Sequence, residues 1–201
     1  MLLPDFSSIM PITTTARPTT AVYTTNKVKG APILVTQEHI KDGHAHAVIV
    51  NSVNANTCNA DGAEKARAMC EFAAAALDLE PEDMIVASTG VIGQPLPIEP
   101  IVNGVPELAK GLSTTGNAAA VNAIMTTDTV PKEVAVEFTV GGKVCRLGGM
   151  LKGSGMIHPN MATMLVFITT DAAISPEMLQ MALSGDIQNT FNMISVDGDT
   201  S

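Results

Sequence analysis

The stretch EVAVEFTVGGKVCRLGGM, residues 133–150, constrains the fold of this chain more than any other. Val134, Val136, Phe138 and Val140 alternate with other residues, which is the period of a strand. Gly141-Gly142 then supplies two residues that tolerate positive φ, as a two-residue hairpin turn demands. The segment predicts an antiparallel hairpin, and a chain containing one is not a purely parallel, doubly wound sheet. AVYTT (21–25), APILVT (31–36), HAVIVNS (46–52) and MIVAS (84–88) read as further β-rich runs, and a strand is expected at 164–169. The stretch from Asn59 to Leu79 reads as a helix capped by Asn59 or Asp61, with Ala66, Cys70, Ala73 and Leu77 on one stripe. Two more helical segments fall near 98–110 and 116–125, the first in spite of Asn103-Gly104 and Pro106. Ser175-Pro176-Glu177 opens another, with Ser175 as N-cap. Ile194-Ser195-Val196 reads as the start of a strand, and residues 1–20 as an irregular or edge segment. The expected class is α/β (α+β), with stacked mixed or antiparallel sheets between helix layers and one domain over 21–201.

Composition decides what fills those layers and what the surface can bind. Hydrophobic residues make up 46% and aromatic residues only 3%, so aliphatic side chains and methionine must build the core. A net charge of −9 without a basic run excludes a general nucleic-acid role, because phosphate binding needs a basic surface. No apolar run reaches the roughly 18–20 residues that cross a bilayer, and the chain does not begin with a secretory signal. Cys58, Cys70 and Cys145 are odd in number and widely spaced, which reads as reduced core thiols in a reducing compartment and hence a cytoplasmic protein. His44 and His46 lack a third ligand nearby in sequence, and Asp197 and Asp199 sit in a polar turn without an EF-hand pattern, so no metal is expected. Neither nucleotide-binding glycine motif is present, and Gly153-Ser154-Gly155 is too short to cradle a phosphate alone. No cofactor is expected.

The stretch LKGSGMIHPNMATMLVFITTDA, 151–172, changes from a turn-rich loop to an apolar run at Met161-Ala162-Thr163-Met164. A threonine hydroxyl is a poor nucleophile and needs a base. One solution makes the threonine the first residue of a chain, so that its own α-amine takes the proton. Cutting the bond before Thr163 would produce that state, and the small Ala162 leaves room for a bent peptide. A purely structural reading stands beside this one, because β-branched residues favour strand starts for packing reasons.

GGMLKGSGMIHPNMATMLVFITTDA resembles the processing segment of the ornithine acetyltransferase family, also called glutamate N-acetyltransferase or arginine biosynthesis bifunctional protein. AVYTTNKVKGAP, VIVNSVNANTCNADG, ARAMC, VASTGVIGQPLP, AIMTTDTVPK and SVDGDTS resemble further blocks of it, in family order, from about residue 21 to residue 201. The resemblance implies an N-terminal-nucleophile-like enzyme made as a precursor that cuts itself between Ala162 and Thr163. The two chains stay associated and move an acetyl group from N-acetylornithine to glutamate through an acetyl-threonine intermediate. Some members take acetyl-CoA as donor. By match of motif, Thr163 is the nucleophile, and Thr89 and Gly90 stabilise the oxyanion. Thr126 and Lys152 bind substrate with Thr163, and Thr127 replaces Thr126 if the register differs by one.

Three departures accompany the match. Val53 stands where the family usually has glycine, and His158 where a small residue is usual. Residues 1–20 match poorly, and the sequence stops where the family is about half finished, so the C-terminal half is an expected partner. Two rival readings remain at this level. One is a related N-terminal-threonine amide hydrolase or aminopeptidase, and the other is an inert truncated chain that acts only by association.

Overall fold

The computed structural model of the protein describes the backbone of residues 7–11 and all of residues 16–158 and 163–199. In chain order the elements are β1 (Ser7–Pro11), β2 (Arg17–Pro18), α1 (Ala31–His39), β3 (His44–Ala45), β4 (Ala47–Asn51), α2 (Gly62–Leu77), β5 (Met84–Ser88), α3 (Glu99–Lys110), α4 (Asn117–Ile124), β6 (Lys132–Val140), β7 (Lys143–Lys152), β8 (Leu165–Thr170) and α5 (Pro176–Asp186).

Strand β4 organises the molecule. Its five residues are all buried, the pattern of a strand covered on both faces. It pairs antiparallel with β1 and parallel with β5, giving a mixed sheet of order β1-β4-β5. Ala47 and Ile49 of β4, with Met84 and Val86 of β5, belong to one core cluster with Ala66, Met69, Cys70, Ala73 and Ala74 of α2, and with Ile101 and Val105 of α3. The small residues on α2 let that helix lie close to the sheet. Val48 and Val50 join a second cluster with Ile124 of α4, and Met150, Leu165 and Phe167 of β7 and β8 pack against it. The alternation of side chains along β4 therefore sorts it between a helix layer and a second sheet. That sheet, β6-β7-β8, is antiparallel throughout. The architecture is α/β with a mixed and an antiparallel sheet stacked together, as expected from the sequence.

The expected hairpin is β6–β7, and Gly141 and Gly142 turn it at φ 57° and 78°. Ser175 caps α5 by accepting the Met178 N–H, and α3 runs on through Pro106. Several expectations are corrected. APILVT is not a strand: Gly30 and Pro32 suit a helix start, and the run forms α1. Thr36 of α1 then both donates to the Val86 carbonyl (2.7 Å) and accepts from the Val86 N–H (3.0 Å), satisfying the free edge of β5. AVYTT forms no strand. Ser7–Pro11 takes the edge position of the first sheet. Asp61 occupies the N-cap position of α2 without a side-chain cap bond, and Asn59 instead donates to the Gln94 carbonyl. Ile194-Ser195-Val196 forms no strand; the Val196 N–H is taken by the Ile157 carbonyl at 2.8 Å. Of the three free cysteines only Cys70 is buried, and burial pushes its thiol up to about 12. Among the described residues no helix is long and apolar enough to cross a membrane.

Candidate active site

The parallel pair β4–β5 ends in two loops that zip together. Past β4, Asn51 Nδ2 donates to the Asn54 carbonyl (2.8 Å), and Asn54 Oδ1 accepts the Asn56 N–H (2.7 Å). The asparagine-rich NSVNAN segment thus holds itself in shape with its own side chains. Past β5, the Thr89 N–H reaches the Asn51 carbonyl (2.9 Å) and the Val91 N–H reaches the Val53 carbonyl (3.1 Å). Between them Gly90 adopts φ +131°, and a Cβ there would lie 2.0 Å from the Val53 carbonyl oxygen. Only glycine fits this crossing. Val53 itself is not among the residues with positive φ, and its side chain is exposed. Valine at this usual glycine position is therefore under no left-handed backbone strain.

The second sheet brings up the other side. Lys152 ends β7 and pairs in register with Leu165 of β8. Thr163 stands two residues before that pair. Its N–H donates to the Met156 carbonyl at 3.1 Å, and its hydroxyl oxygen is buried without a hydrogen-bond partner among the described residues. Thr89, Gly90 and Thr163 line one large open cavity with Met156, Met164 and Leu165. Ala162, the expected residue before the cut, lies outside the described residues. His158 is exposed and turned to the Ser195 hydroxyl at 3.0 Å, so its bulk does not fill the loop.

Lys152 is only 4% exposed and does not line the cavity. Its ammonium donates to the Thr89 hydroxyl, itself 2% exposed, at a long 3.5 Å. Burial lowers the Lys152 pKa, and the carboxylate of Asp128, 4.0 Å away, works against that shift. Thr126 is exposed and away from the cavity wall; its N–H points to Asp128 at 3.4 Å. Thr127 is exposed and bonds the Ser154 hydroxyl at 2.6 Å.

Asp128 is the residue that motif reading passed over. Its side chain has no exposed surface. It accepts from Lys132 Nζ (2.6 Å), the Gly153 N–H (2.9 Å) and the Thr126 N–H, and faces Lys152. Burial presses its carboxyl upward, yet the bonds from Lys132, Gly153 and Thr126 outweigh burial and hold it below its ordinary value. The available signal was the Asp128/Lys132 pair inside the AIMTTDTVPK block. Asp197 was read as a turn residue, and it does stabilise a turn, but one around the loop: its carboxylate accepts the N–H groups of Met156 (2.7 Å) and Ile157 (3.0 Å). His44 and His46 do not converge. His46 Nδ1 lies 3.2 Å from the Asp83 carboxylate, and His44 turns to the Asp42 carbonyl. No cluster of three metal-ligating side chains occurs among the described residues.

Comparison with known proteins gives a consistent answer. The ArgJ family model matches residues 5–201. The arginine biosynthesis bifunctional protein ArgJ of Caldanaerobacter subterraneus subsp. tengcongensis is 50% identical over 182 residues, and that of Symbiobacterium thermophilum 52% over 181. Each alignment covers 90% of this chain and 45% of the relative, so the chain spans about half the length of these curated relatives. Among solved structures, the arginine biosynthesis bifunctional protein of Bacillus halodurans superposes with a TM-score of 0.70 at 39% identity, covering 78% of this chain and 91% of that one. The ornithine acetyltransferase of Mycobacterium tuberculosis, solved with ornithine, gives 0.63 at 36% identity, covering 71% and 76%.

Proposed function

The chain belongs to the ArgJ family, and from that premise we propose that it supplies the nucleophile part of a cytoplasmic enzyme of arginine biosynthesis. The enzyme moves an acetyl group from N-acetylornithine to glutamate, with acetyl-CoA as a second donor. The observation that carries the reading is the Thr163 hydroxyl: buried, without a partner among the described residues, and lining the same cavity as Thr89 and Gly90. A buried polar atom left unsatisfied is costly, so such an atom at a cavity is a candidate for chemistry.

The proposed sequence starts with the chain's own peptide. The Thr163 hydroxyl oxygen attacks the Ala162 carbonyl carbon, the C–N bond breaks, and the hydroxyl proton ends on the Thr163 nitrogen. Water opens the resulting ester, leaving a carboxylate on Ala162 and a free amine and hydroxyl on Thr163. That amine then takes the hydroxyl proton as the oxygen attacks the acetyl carbon of N-acetylornithine. Thr89 and Gly90 stabilise the oxyanion, a role typically worth about 3 kcal/mol of barrier. Accepting from Lys152 leaves the Thr89 O–H free to donate into the cavity; the family motif assigns Lys152 and Thr126 to substrate, and because neither lines the cavity here, a substrate carboxylate reaches them only when the wall around Thr89 opens. Ornithine leaves with the proton, and the glutamate amine attacks acetyl-Thr163. A two-chain enzyme is supported by coverage: the alignment takes in 91% of the Bacillus halodurans chain but only 45% of the curated relatives.

The test uses the protein extended to the length of its relatives. Intact mass should show a cut between Ala162 and Thr163, and N-acetylornithine should leave 42 Da (about one acetyl group on the hydroxyl) on the piece beginning with Thr163. Thr163→Ala should abolish both. Cutting at that bond in Thr163→Ala would show that another agent matures the protein. A hydrolase would give acetate at a rate indifferent to glutamate.

A further inference from the structure

Among the described residues, the loop that carries Thr163 takes several of its restraints from a segment remote in sequence. Met156 stands at φ 53°, a left-handed conformation unfavourable in a residue with a Cβ. Something must hold it there, and the nearest restraint is remote in sequence. The two oxygens of Asp197 divide the work, Oδ2 accepting the Met156 N–H and Oδ1 the Ile157 N–H. The Val196 N–H closes a third bond onto the Ile157 carbonyl, and the Ile157 side chain beneath is 1% exposed. Gly198, at φ 77°, turns the chain so that the Asp199 N–H also approaches Asp197. The Met156–Ile157 peptide is thus gripped at the Ile157 N–H by Asp197, and on its other side the Met156 carbonyl accepts the Thr163 N–H.

We propose that Asp197 is a positioning residue for Thr163: by clamping the Met156 and Ile157 amides it holds the Met156 carbonyl against the Thr163 nitrogen, and so fixes that nitrogen beside its own hydroxyl. This rests on the reading that Thr163 is the nucleophile. On that reading the clamped nitrogen is first the leaving group of the cut and afterwards the base. Before the cut, the bond to Met156 restrains the amide whose carbonyl carbon the hydroxyl must reach. After it, the same carbonyl accepts one N–H of the free amine and leaves its lone pair to be directed at the hydroxyl. A charge-assisted clamp on two adjacent backbone N–H groups is a rigid device, because neither bond can rotate without straining the other.

Two measurements test this separately from the reading beneath it. On the 201-residue chain, amide hydrogen exchange should show Thr163 protection falling at least tenfold in Asp197→Ala and less in Asp197→Asn, which keeps an acceptor oxygen. Val50, in the central strand, should be unchanged. Thr163 exchange equal to wild type would overturn the proposal whether or not the protein ever cuts itself. If Asp197→Ala also loses Val50 protection, Asp197→Asn decides: a fall in Thr163 protection with Val50 unchanged supports the clamp, and Thr163 exchange equal to wild type overturns it. In the protein extended to family length, Asp197→Ala should slow cutting at least tenfold, and the matured variant should lose kcat with KM unchanged. Cutting at the wild-type rate would overturn the proposal. A wild type that never cuts at Ala162-Thr163 refutes the functional reading instead, and leaves the exchange result to decide the clamp.

Discussion

Lys152 and Gly90 show how much a single position in this site can be asked to do. Lys152 is charged, buried, and opposed by desolvation, yet it has Asp128 to face and Thr89 to donate to. On the proposed function, a charge-assisted contact to a carboxylate acts in the ground and transition states alike. Lys152→Ala in the family-length enzyme should therefore raise KM for the amino-acid substrates about tenfold to a hundredfold, with a smaller change in kcat. Steady-state kinetics would check it; a lost kcat at constant KM would assign the lysine to Thr89 and the oxyanion. Gly90 makes a different kind of prediction. Gly90→Ala meets both a φ of +131° and a carbonyl oxygen at 2.0 Å, so the β4 and β5 loops must separate. A loss of about 3 kcal/mol or more in urea unfolding is expected. Thr89 and Gly90 were legible in the sequence only through the family motif, since STG alone is an ordinary strand end. Their local reason, the closeness of Val53, is a contact between loops that no spacing reveals.

At the scale of elements, the β7–β8 hairpin is what places Thr163, and Asp128 is what ties its loop to the end of α4. Removing that carboxylate strands the Lys132 ammonium and the Gly153 N–H, so Asp128→Ala should cost about 3 kcal/mol at neutral pH. The pH dependence has a definite sign. A carboxyl held below its ordinary value of 3.8 stabilises the fold fully above that value, and the contribution fades as pH falls through the depressed folded value. Acid titration of unfolding free energy should accordingly show a steeper loss below about pH 4 in wild type than in Asp128→Asn. Element types followed from periodicity, as for α2, whose stripe is buried, and for the β6–β7 hairpin, although Val134, Val136, Phe138 and Val140 of β6 are exposed in this structure. APILVT failed because its β-branched residues were needed on a helix, where Thr36 reaches the edge of β5. The part of Asp128 and Asp197 that was not legible is their hold on backbone N–H groups of the loop, Gly153 for one and Met156 and Ile157 for the other, which carry no signature in a side-chain alphabet.

For the whole molecule, the order of layers follows from β4, which is covered on both faces. Which layer lay on which face was not legible, because it depends on how the second sheet folds back across 80 residues or so of chain (roughly the span of several elements). That second sheet also joins the two products of the proposed cut. Six register pairs, from Lys152 with Leu165 to Leu147 with Thr170, would link a strand ending one polypeptide to a strand beginning another. Unfolding would then change its molecularity. The uncut chain unfolds as one particle, whereas the cut form must dissociate, and its melting obeys mass action. Calorimetry should find Tm of the cut form rising with each tenfold increase in protein concentration, by about 2–4 °C per kcal/mol of association free energy. The uncut Thr163→Ala form should melt at a concentration-independent temperature. A protein matured in this way would carry a dilution limit that its precursor never had.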